Sequence, residues 1–265
     1  MLSYNLWEWL AFFYVYCFVG WCIESTIVSI DQKTPVNRGF LRGPFLPLYG
    51  FGAIVILFVS LPVRDNPFLI YFFGMIGTTS LEYLTAWLME TTLKMKYWDY
   101  TNSKFNYKGR ICLTSSLFWG FLSLFMIYII HKPIEKAILF MYNNESKIFI
   151  AAVIIVSVYL FTDTVYAFRT ALDVNKLLNK ITIIKNELEE QLLIISDKIE
   201  NSEKALNAKE RISELKAEYH TLTDKMNFFN RSLIKAHPNA HSFKFNDALR
   251  EVRKKLAEKK SKKED

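Results

Sequence analysis

Five stretches of the chain are apolar for long enough to cross ~30 Å of hydrocarbon as helices. They cover residues 6–30, 45–63, 67–89, 111–130 and 148–171. Pro62 and Pro67 bracket a very short turn between the second and third, and Pro133 is expected to end the fourth, because proline cannot continue a helix past its first turn. Beyond residue 171 the period changes. Leu177, Ile181, Ile184, Leu188, Leu192, Ile195 and Ile199 recur at spacings of three and four, and so do Ile212, Leu215, Tyr219, Leu222, Met226, Phe229 and Leu233. Charges fill the faces between them, the pattern of a coiled coil. Residues 201–210 are polar without Gly or Pro, so they either continue one helix or turn an antiparallel hairpin; the good helix formers there favour one continuous helix. Pro238 and Asn239 should end it, a short helix should cover 246–258, and the lysine-rich end should be disordered. The fold class is therefore an all-α integral membrane protein. A five-helix transmembrane domain spans 1–171, a cytoplasmic coiled-coil helix 172–235, and a short helix with a basic tail 236–265.

Orientation follows from lysine and arginine in the short loops. The N-terminus has none and the turn at 64–66 has Arg64 alone. Loop 31–44 carries Lys33, Arg38 and Arg42, and loop 94–110 carries Lys94, Lys96, Lys104, Lys108 and Arg110. With the N-terminus outside, five spans put both of these clusters and the C-terminal region in the cytoplasm, which implies the plasma membrane. The net charge of +7 then has a simple cause. A lysine-rich tail beneath an anionic leaflet adheres to lipid more readily than it marks a nucleic-acid binder. Cys17, Cys22 and Cys112 lie in or beside apolar segments without C-x-x-C spacing, so they read as small packing residues, with no disulfide and no metal.

Against this apolar background Glu24, Glu82 and Asp163 stand out. A carboxylate at membrane depth costs at least ~2.5–3.5 kcal/mol and usually faces a bundle interior or a wet cavity. All three fall in outside-to-inside spans, Glu82 and Asp163 on the order of 10 Å from the inner boundary and Glu24 nearer. Each lies on a small or polar stripe that lets helices approach closely: Cys17–Gly20–Glu24, Gly74–Thr78–Glu82–Thr85 and Tyr159–Asp163–Tyr166–Thr170. The three acids are expected to be neighbours in a cytoplasm-facing pocket, with Arg38, Arg42, Arg110 and Arg169 as counter-charges. The alternative is a set of ion pairs that staple the bundle and bind nothing.

Two cytoplasmic segments concentrate special residues. In N-R-G-F-L-R-G-P-F-L-P-L-Y-G (37–50), Asn37, Arg38 and Arg42 sit among glycines that permit tight turns. In Y-W-D-Y-T-N-S-K-F-N-Y-K-G-R-I (97–111), Asp99 and Arg110 accompany aromatics. These loops either line the pocket or form an interfacial belt. A weak internal echo links them: Asn37 precedes Tyr49-Gly50 much as Asn106 precedes Trp119-Gly120. Two parallel hairpins would produce this, and so would chance. There is no G-x-x-x-x-G-K-[ST], so the chain is no P-loop ATPase, and there is no G-x-S-x-G, H-E-x-x-H or Cys/His cluster. No enzyme activity and no cofactor is expected.

G-W-x-x-E-S in the first span, N-R-G-F-L-x-G-P-x-x-P-L-Y-G-x-G-A after it, and E-Y-L-T-A-W-L-M-E followed by W-D-Y and G-R-I resemble the bacterial "putative ABC transporter permease" family, CmpB-like or type IV. The resemblance covers residues 5–171; W-D-Y is followed by Thr101 where the family pattern has Ser. It implies the membrane subunit of an ABC-type transporter energised by a separate nucleotide-binding subunit. The expected pocket is Glu24, Asn37, Arg38, Arg42, Glu82, Asp99, Arg110 and Asp163; Glu24 and Glu82 fall within the family-like motifs, whereas Asp163 rests on depth and spacing alone. A homo-oligomer through Ile181, Ile184, Leu188 and Ile195 would supply further spans. The alternatives are a membrane-embedded enzyme or binder of lipid headgroups, and a membrane-anchored coiled-coil scaffold or sensor.

Overall fold

The structure, a computed structural model, describes residues 4–196, 203–237 and 240–264. Helix α1 (Leu6–Asp31) starts at Asn5, whose side chain accepts from the N–H groups of Trp7 and Glu8 while the Glu8 carboxylate accepts from Asn5. This reciprocal cap satisfies donors that a helix start leaves open. Helix α2 (Pro47–Ser60) has proline in its first turn, where no N–H is needed. After a 3₁₀ turn (Leu61–Val63), α3 (Pro67–Leu93) starts from Asn66, whose side chain accepts from the N–H groups of Phe68 and Leu69, and ends at Lys94 in the left-handed region. Short strands β1 (Met95–Lys96), β2 (Asn106–Tyr107) and β3 (Ile111–Cys112) fold the following loop, and β2 pairs antiparallel with β3. Then come α4 (Leu113–Phe125), α5 (His131–Asn144), α6 (Ser146–Ser196), α7 (Glu203–Asp224), α8 (Phe228–Ala236), β4 (His241–Ser242) and α9 (Asn246–Glu264).

Among the described residues, three helical stretches are long and apolar enough to cross a membrane: Leu6–Asp31, Leu113–Asn144 and Ser146–Ile195. Pro47–Val63 is apolar but shorter. Helix α3 has the length, but Thr78, Thr79, Ser80, Glu82 and Glu90 make it more polar. Two cores hold the chain together. One gathers Phe12, Leu57 and Ile70, all fully buried, with Met126, Ile127, Phe149 and Val153. The other joins Leu93, Met95 and Tyr97 to Val174, Leu178, Ile181, Leu215, Leu249 and Val252. It forms where α3 leaves its apolar section and the C-terminal helices fold against it.

The structure departs from expectation in five places. Pro133 does not end its helix: a π-helical stretch (Met126–Ile130) leads straight into α5. Such a stretch re-registers the hydrogen bonds just where proline removes one. The boundary drawn at 171/172 falls inside α6, which is continuous from Ser146 to Ser196. The single helix over 172–235 is instead α6, α7 and α8. Arg211 of α7 pairs with Glu187 of α6, and Tyr219, further along α7, shares Glu251 with Lys185. The two helices therefore pack as an antiparallel hairpin, whose connection, with residues 201–202, lies outside the described residues, as do Pro238 and Asn239. The seam offered for self-association is filled from within the same chain. Ile181 and Ile184 are buried against α7 and α9, and Leu188 packs on the same core, while Ile195 is half-buried near the end of α6. Finally, α9 runs to Glu264, through the segment expected to be disordered, because its Lys, Glu, Ala and Leu are good helix formers.

Candidate functional site

The most enclosed of the three acids is Glu82, on the inner face of α3. One carboxylate oxygen accepts from Tyr100 Oη at 3.0 Å and the other from Trp119 Nε1 at 3.0 Å; Ser115 Oγ reaches both, at 3.3 and 3.1 Å. All of these donors are neutral. Carboxylate lone pairs are thus satisfied by the loop after α3 and by two turns of α4, and among the described residues no lysine or arginine pairs with Glu82. Tyr100, in that loop, has its phenol pushed up to about 12 by burial and by the neighbouring Glu82 charge.

Glu24 is less enclosed. Tyr49 Oη donates to it at 2.7 Å, and Arg38 Nε lies 3.7 Å from its other oxygen. The Tyr49 and Trp119 rings are 6.2 Å apart, edge to face, so the partners of Glu24 and Glu82 touch. The internal echo of the sequence has a structural counterpart here. In each hairpin, α1–α2 and α3–α4, an aromatic in the second helix donates to an acid in the first. The glycine after each aromatic also lies against the partner helix: a Cβ at Gly50 would strike Cys17 and Phe13, and one at Gly120 would strike Tyr71.

Asp163 plays a different part. Its carboxylate accepts from the backbone N–H of Gly43 at 2.8 Å and of Arg42 at 3.3 Å, fastening loop 31–46 to α6. It shows no contact with Glu24 or Glu82 and belongs to a third locus rather than to a common pocket.

The arginines are likewise distributed. Arg38 joins Glu24 and also donates to the Ala236 carbonyl at 2.5 Å, bringing the C-terminal segment to the first loop. Arg110 forks onto Glu90 at 2.5 and 2.8 Å and donates to Tyr83, rather than meeting Glu82. Arg42 donates to Thr170 Oγ1 at 2.8 Å and lies over the Phe229 ring at 3.8 Å, while its Nε is buried with no hydrogen-bond partner among the described residues. Arg169 is exposed on α6. Asn37 organises its loop, accepting from Trp21 and Gly39 and donating to the Arg42 carbonyl. Asp99 is exposed; burial alone would raise its carboxyl, but hydrogen bonds from Thr101 and Lys96 bring it below the ordinary range. It shapes the turn at Gly109 and stands apart from the acids of α1 and α3. The aromatics beside it do not form an outward belt: Tyr97 is buried against Phe40 and His237, and Trp98 donates to the Arg110 carbonyl.

Sequence reasoning missed Glu90, because it closes a span and reads as a boundary residue; its place two helical turns beyond Glu82 was the available hint. His131, in α5, was passed over as well. That ring is buried between Tyr4 and Tyr16, whose hydroxyls lie 3.2 and 3.1 Å from its two nitrogens, and Tyr4 donates to Glu135 as well.

The family model described as Putative ABC-transporter type IV matches residues 11–168, the whole section that carries these acids and loops. The chain belongs to this family. No curated protein and no solved structure matches it. Together, the family and the long apolar helices point to a membrane protein with a transport-related role.

Proposed function

We propose that the chain is the membrane subunit of an ABC-type transporter, moving a polar solute with energy from a separate nucleotide-binding protein. In this reading α1, α2, α3, α4–α5 and the first half of α6 cross the plasma membrane, with the N-terminus outside and the C-terminal helices in the cytoplasm. The basic loops at 31–44 and 94–110 support that orientation. Helix α3 crosses despite its polar face because Gly74, Thr78 and Glu82 are turned inward and buried.

Glu82 carries the proposal. A staple reading accounts for Glu24 with Arg38 and for Glu90 with Arg110, each an acid beside a base. It does not account for Glu82, which keeps a buried carboxylate among neutral donors. Ionisable groups held inside a membrane bundle without a counter-charge mark pathways more often than supports. Glu82, Tyr49, Trp119 and Glu24 form the proposed solute-handling line between the two hairpins. Arg38 and Arg110 set its charge from the cytoplasmic side, and Asn37, Arg42, Asp99 and Asp163 hold the loops.

The test is purification from native membranes in mild detergent with identification of bound proteins. A P-loop ATPase should co-purify, and Glu82→Gln should leave that association intact while lowering solute-stimulated ATP hydrolysis about tenfold, the scale of one lost charge-assisted interaction. Recovery of no ATPase under several mild conditions would overturn the proposal.

A further inference from the structure

Outside the acid sites, an open groove of about 710 Å³ lies along the last three turns of α1, walled on its other side by the loop that follows. Its lining includes Trp21, Ser25, Thr26, Ser29, Lys33 and Thr34. It is therefore built at the point where a membrane-crossing helix meets the interface. Three features set it apart from an ordinary helix end. Hydroxyls recur on a helix whose adjacent exposed positions, Ile23, Ile27 and Ile30, are apolar; Ile30 is 72% exposed. Ser25 and Ser29 use their hydroxyls to hold the loop, accepting from Arg38 and Val36 N–H, so the wall is fixed rather than loose. Lys33, left-handed as Lys94 is at the end of α3, is the sole charged residue in the lining. The exposed acid Asp31 is close in sequence but does not line the groove.

We propose that this groove binds an anionic phospholipid. Its phosphate would sit on Lys33 with the Thr34 hydroxyl, its glycerol region against the turns at Thr26 and Ser29, and an acyl chain along Ile23, Ile27 and Ile30. A positive mouth, a hydroxyl-bearing wall and an apolar flank beside it offer a partner to each of the three parts of such a lipid. The apolar flank would not suit a free anion. The inference rests on α1 crossing the bilayer, as proposed above, but not on transport.

The full chain is reconstituted in bilayers of phosphatidylcholine with about one-quarter phosphatidylglycerol, re-extracted gently, and its retained lipids counted by native mass spectrometry. Phosphatidylglycerol should be retained about fivefold above its share, the scale of one basic group at an anionic surface. Lys33→Glu should abolish this enrichment, whereas Lys104→Glu, an exposed base on the other loop, should keep it. Equal retention in Lys33→Glu and the parent chain would overturn the proposal, and so would displacement of the lipid by inorganic phosphate. A Thr26→Cys variant that forms disulfide dimers in the bilayer would overturn it too, by showing a second copy in the groove. Because the readout is bound lipid, absence of an ATPase partner would sink the transporter reading and leave this one standing.

Discussion

Gly43 shows how closely single atoms are fitted in the loop after α1. A Cβ there would collide with the Tyr159 hydroxyl and press on the Asp163 carboxylate that holds the Gly43 N–H. Gly43→Ala should therefore cost roughly 1–3 kcal/mol, the usual price of overpacking. Adding Tyr159→Phe, which removes the struck oxygen, should recover part of that loss. Thermal unfolding in detergent measures both; strict additivity of the two changes would mean that the collision is not the cause. His237 offers a pH-dependent counterpart. Burial, with Arg38 and Arg253 nearby, lowers its imidazole from 6.5 to about 3. Below pH 6.5 the unfolded segment takes up a proton that the folded one refuses, so stability is lost as pH falls from 6.5 towards 3 and is flat above. Amide exchange of α8 and α9 across that range should follow this trend in the parent chain and lose the His237 component in His237→Gln.

At the scale of elements, the C-terminal helices are a packed module rather than a free arm. Leu178 is fully buried among α7 and α9, so Leu178→Ala should cost about 2–5 kcal/mol. Limited proteolysis should then cut between residues 196 and 237 well before the helices of 6–144; simultaneous cutting everywhere would deny the module its separate stability. The heptads at Ile181, Ile184, Leu215 and Tyr219 were legible because packing imposes the same 3–4 period whatever the partner. For that reason they could not say whether the partner was another chain or the returning α7. The acids were legible as anomalies in apolar stretches, but their grouping was not. Depth along a helix fixes height, whereas contact also needs azimuth, and Asp163 faces the backbone of loop 31–46 instead of Glu82. Arg110 was similarly misassigned: Glu82 and Glu90 lie two helical turns apart on one face, and only folding of the loop decides which one it reaches.

For the whole molecule, the proposed topology makes a direct prediction. Single cysteines replacing Lys33 and Lys104 should react with an impermeant reagent only when the cytoplasmic side is open, and one replacing Asp65 only from outside. Labelling of Lys104→Cys and Asp65→Cys from the same side would reverse or break the five-span arrangement. The C-terminal module is tied to both basic loops, through Arg38 on Ala236 and through pairing of β1 with β4, Met95 opposite Ser242. It is also the direct continuation of the last apolar helix, since α6 has no break over its 51 residues. A rod of that length works as a lever. From residue 171 to Ser196 it projects about 37 Å, so a tilt of about 10° at the membrane would carry its far end about 6 Å sideways. With α7 and α9 clamped along it, a change of angle in the apolar half of α6 would emerge at the other end as a swing of the entire hairpin.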